Sequence, residues 1–124
     1  MSKQLFNAAG TTAKISELYA LSDADLRLQT EAIRVNFESW MHWHFTLNAQ
    51  QSAFLASMEY PRVQELSEDL ADCIQFRLFL SFTWPPLHPI GSKFVQPVST
   101  LIRTYDPRGG YTVTGQLRIE IGYK

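Results

Sequence analysis

A single cysteine, Cys73, is all that this chain contains, which excludes an intrachain disulfide and the cross-linked scaffolds of small secreted domains. A reducing compartment is the expectation. No stretch approaches the roughly 18 uninterrupted apolar residues needed by a membrane-spanning helix, and the opening MSKQLFNAAGTTAK has no apolar run of the secretory type. These absences point to a cytoplasmic location and to no membrane partner. Paired-cysteine zinc spacings, HExxH and GxSxG are also missing. Gly91-Ser92-Lys93 has the ending of a phosphate loop but lacks the earlier glycine and the helix that should follow. The reading therefore leans away from an enzyme and assigns no catalytic residue, metal or cofactor.

Charge of either sign is sparse, with 11 basic and 12 acidic residues, but it is unevenly placed. Ten of the acidic residues lie at or before Phe76, against five basic ones, whereas from Arg77 onward six basic residues face two acidic. Helices favour acids in their first turns and on solvent faces, which accounts for this without further function. The sharper reading is a positive sheet face that meets an acidic partner, or the acidic helices of a second copy. Six scattered cations are too few for nucleic-acid binding.

What the sequence does have is apolar and aromatic material, 45% and 13% of its 124 residues, enough for one core. Ser22 ahead of Asp23 and Asp25 reads as a helix cap, and Leu26, Ile33, Phe37, Trp40, Met41 and His44 follow as one continuous stripe. Asn48 with Gln51 repeats the cap logic, and Pro61 suits the first turn of a helix carrying Val63, Leu66, Leu70, Cys73 and Ile74. After Phe76 the apolar period changes from near four to two, through Leu78, Leu80 and Phe82 to Trp84. The prolines of residues 84–91 make a loop, Val98 to Tyr105 a second strand, Asp106-Pro-Arg-Gly-Gly a turn, and Tyr111 to Tyr123 a last strand in which Gly115 marks a bulge or a close helix.

The predicted fold is one α+β domain over 1–124. Residues 1–10 are expected to be flexible, 11–76 to form three to four helices, and 77–124 to form a three-stranded antiparallel sheet with the helices on one face. Two edge strands in so small a sheet invite pairing with another copy.

Three groups of residues are candidate sites. His42 and His44 lie two apart, so on a helix they point about 200° apart and cannot chelate together. Glu38 and His42, one turn apart, share a face on which a carboxylate can orient an imidazole, or form a plain surface pair. Trp40, Trp43 and Trp84 beside His88 could line a ligand pocket, although such aromatics more often form core. Cys73, on the apolar stripe, is expected to pack rather than react. The functional expectation is a non-catalytic protein-interaction or assembly domain, a homo-oligomer or the partner of another protein. The alternative is a small-ligand-binding protein or enzyme with a pocket near Trp84, His88 and Glu38/His42.

Overall fold

Asparagine and serine set most of the helix starts. The structure, a computed structural model, describes residues 3–83 and 93–123. A two-residue strand, β1 (Gln4–Leu5), leads into α1 (Ala8–Tyr19), whose N-cap Asn7 accepts the amide of Gly10. Ser22 caps α2 (Asp23–Val35) through the amide of Asp25, as its sequence predicts. Asn36 then closes α2 and caps α3 (Phe37–His44) by accepting from the amide of Ser39. The single long helix expected from the stripe through His44 is thus two helices. An apolar stripe continues across such a joint, but Asn36 competes for the backbone and caps the second helix with its side chain.

The strand β2 (Phe45–Thr46) pairs in parallel with β1, and α4 (Ala49–Ala56) opens with the Asn48/Gln51 capping box. Next comes α5 (Tyr60–Gln75), with Pro61 in its first turn. Five helices are present among the described residues instead of three or four. Near the start of the chain β1 is paired, Phe6 is buried and Gly10 lies inside α1. Gly10 also sits against β1, where an added Cβ would stand 1.8 Å from the Leu5 carbonyl oxygen. A Gly10→Ala change, worth about 1 kcal/mol of gain in an open helix, should instead destabilise by roughly 1–3 kcal/mol through overpacking. Urea denaturation of the variant checks the sign.

Arg77, with φ at 51°, turns the chain out of α5, so β3 (Phe79–Thr83) starts later than Phe76. The strands β4 (Lys93–Ser99), β5 (Ile102–Tyr105), β6 (Tyr111–Thr114) and β7 (Gln116–Tyr123) complete the chain. They form small separate sheets, and the expected single three-stranded antiparallel sheet is corrected to a mixed one. Its order is β3-β7-β4, with β3 parallel to β7 and β4 antiparallel to it, while β5 and β6 form a hairpin of their own. Period-two alternation identifies strands but carries no information on direction, and the turn at Asp106 makes β4 and β7 partners, leaving β3 the other flank of β7. Pro97 lies within β4, not at its start, and an outer strand tolerates the lost donor.

The register explains the interruption. Ser99 pairs with Leu117 and, three residues along each strand, Ile102 pairs with Thr114, so no residue is inserted and no bulge exists. Gly115 takes φ +119°, and a Cβ there would lie 2.0 Å from the Thr100 carbonyl oxygen. The neighbour that requires glycine is the opposite strand, not a helix. Helices cover the face carrying Leu80, Leu117 and Ile119, which join the buried side chains of all five helices, while Arg118 points to water.

Candidate functional site

Helix α3 carries four of the six candidate ligand residues and sends them in different directions. Trp40 is buried, 3% exposed; its ring stacks on His44 at 4.4 Å and its Nε1 donates to Gln29 Oε1 at 3.0 Å. Trp43 is 73% exposed. Glu38 is exposed and His42 half-buried, and no bond joins them. Trp84 and His88 lie outside the described residues, together with the rest of their proline-rich loop. A mostly apolar cleft of about 620 Å³ lies elsewhere, between β1 and the start of α4, lined by Leu5, Phe6, Leu47 and Gln51 among others. None of the four described candidates, Glu38, Trp40, His42 and Trp43, lines it. Among the described residues no group of three or more His, Cys, Asp or Glu is placed to hold a metal ion.

His44 is a histidine with changed chemistry. Burial pushes its pKa down to about 4, and the Lys14 ammonium adds to the shift. Lys14 is itself fully buried on α1 and reaches Glu17 Oε2 at 3.2 Å. Burial opposes ionisation of Glu17, but the bond and charge of Lys14, with a bond from Gln4, outweigh it and lower its pKa. Because native His44 binds its proton less readily than an unfolded histidine, the unfolded state holds more protons between about pH 6.5 and 4, and stability falls as pH drops through that window. His44→Gln should flatten this part of a pH-stability profile measured by thermal unfolding.

A second cluster went unforeseen in the sequence. Asp72, on α5, is 1% exposed, yet it is a carboxylate. Its Oδ1 accepts from Arg34 Nη2 at 2.9 Å and from the Tyr111 hydroxyl at 2.6 Å, and its Oδ2 accepts from Arg103 Nε at 2.9 Å. Arg103 also pairs with Asp69 through Nη2, and Arg34 with Glu68 at 3.3 Å. The bond with Asp69 leads the effects that hold Arg103 firmly protonated, with Asp72 adding to it. Burial, then the bond to Asp72, raises the pKa of Tyr111. With both oxygens engaged by charged or hydroxyl donors, Asp72 braces α2, α5 and the β5–β6 hairpin together. The missed signal was Asp72 beside Cys73 on the buried stripe of α5, where an acid requires partners.

Cys73 is buried, and its burial, with Asp69 and Asp72 close by, pushes the thiol up to about 12, so it stays protonated at neutral pH. The charge asymmetry between the halves is partly closed within the chain. Arg103 meets Asp69 and Asp72, and Arg77 Nη1 meets Asp23 at 2.9 Å. Compared with protein-family models, with curated proteins and with solved structures, the chain matches none of them.

Proposed function

We propose that this chain is a non-catalytic protein-interaction or assembly domain that associates with copies of itself. The observation that carries the reading is a groove of about 340 Å³, of mixed polar and apolar lining, where the α2–α3 joint meets the start of α5. Val35 and Tyr60 line it at 85% and 71% exposure, with half-buried Met58 and Val63 between them and Arg34, Glu38 and Gln64 also on its wall. Clustered, water-exposed apolar side chains with polar groups around them are the composition of a protein interface. The groove is favoured over a sheet edge, because Pro97 removes a donor from β4 and α1 lies against β3. Since Arg103 and Arg77 are paired within the chain, association through the groove should withstand salt. Val35→Glu and Tyr60→Glu should each weaken self-association by at least about thirtyfold in sedimentation equilibrium, the effect of losing one anchor worth about 2 kcal/mol. Unchanged association in both variants would remove the groove from the proposal.

The cleft lined by Leu5, Phe6 and Leu47 favours a second reading, a small-ligand-binding protein, at a place other than the Glu38/His42 face. A library screened by thermal shift tests it. A ligand present at a hundred times its dissociation constant adds about 2.7 kcal/mol of stability.

A further inference from the structure

We infer that the β5–β6 hairpin is a hinged arm, latched onto α5 by Arg103 and Tyr111, that opens as a unit while the helical core stays folded. The hinge is the simultaneous break in both strands, Thr100–Leu101 on one side and Gly115 on the other, where the positive φ and the close approach of the Thr100 carbonyl oxygen confine the position to glycine. Beyond the hinge the two strands pack chiefly on each other. Of their eight residues only Val113 is buried, and it stands apart from the main core cluster. Segments with so little buried apolar surface occupy the low end of local stability.

What fastens the arm is polar and lies on one stripe of α5. Asp69, Asp72, Cys73 and Phe76 recur at helical spacing. Arg103 bonds Asp69 and Asp72, the Tyr111 hydroxyl bonds Asp72, and the Tyr111 ring lies 6.0 Å from Phe76. Cys73, the sole cysteine, sits inside the fastened stripe and is fully buried. Opening the arm frees Asp69, Asp72 and Phe76, while Cys73 stays within the main core cluster.

The test is the rate of amide hydrogen exchange in β5 and β6 of the full chain at low urea concentrations. Opening of the arm predicts a rate nearly independent of urea, since little surface is exposed, whereas global unfolding predicts a steep rise. Arg103→Gln and Tyr111→Phe should each speed that exchange at least about tenfold beyond what their loss of global stability accounts for, the scale of a lost bond to a charged group. Far-UV circular dichroism should stay native, and Asp23→Asn, which breaks an ion pair away from the arm, should leave the rate unchanged. Hairpin exchange that follows global unfolding, in the native chain or in the variants, overturns the inference. If the variants do not fold, the urea dependence of the native chain decides alone.

Discussion

Replacing Asp72 with alanine is expected to lower stability by about 3–5 kcal/mol, the cost of removing one member of a buried ionic network and leaving the others uncompensated. The loss should fall at the lower end, because the Arg34 and Arg103 side chains keep some contact with water and can turn toward it. Asp72→Asn keeps the shape and one acceptor, so it should cost less than the alanine change while still losing two charge-assisted bonds. Urea denaturation measures both. A loss under about 1 kcal/mol for the alanine variant would place the carboxylate among ordinary surface ion pairs, which contribute little, and would contradict its role in holding three elements together. The same comparison separates packing from charge, since Asp72→Leu supplies apolar volume without acceptors and should still be destabilising while the two guanidinium groups remain.

The second large effect distinguishes two tryptophans three residues apart. Trp40→Ala should cost about 3–5 kcal/mol, the range for deleting a buried aromatic side chain and leaving a cavity. Trp40 packs on His44 and Phe45, and its indole bond to Gln29 is lost as well. Trp43→Ala should change stability by no more than about 0.5 kcal/mol, as expected for an exposed side chain. Tryptophan fluorescence during thermal unfolding checks both. Trp40 also links the core to the pH-sensitive region, because its ring helps to bury His44, and its removal should bring the His44 titration closer to that of a free imidazole.

The parts of this fold legible in the sequence are those set by neighbouring residues. Ser22, the Asn48/Gln51 box, Pro61 and the Asp106 turn each act within four residues, and each stands where the local chemistry places it. Asn36 uses the same chemistry, but a continuous apolar stripe on both sides concealed it. Strand direction was not legible, because β3 and β7 are brought together by the whole intervening chain, and alternation looks the same for parallel and antiparallel neighbours. The Asp72 cluster was hidden for a related reason. Its partners are 38, 31 and 39 residues away, on α2, β5 and β6, and in the sequence they appear only as a charge imbalance between halves. An external partner was the sharper reading of that imbalance, and part of it is met by the chain's own ion pairs at Arg77 and Arg103. The groove between Val35 and Tyr60 was equally out of reach, since the two come together only through the break at Asn36 and the turn before α5.

Self-association through that groove is the central claim, and light scattering after size exclusion, at two protein and two salt concentrations, tests it most directly. The account predicts a dimer mass at the higher protein concentration that persists at high salt. A monomer mass under all four conditions would contradict it.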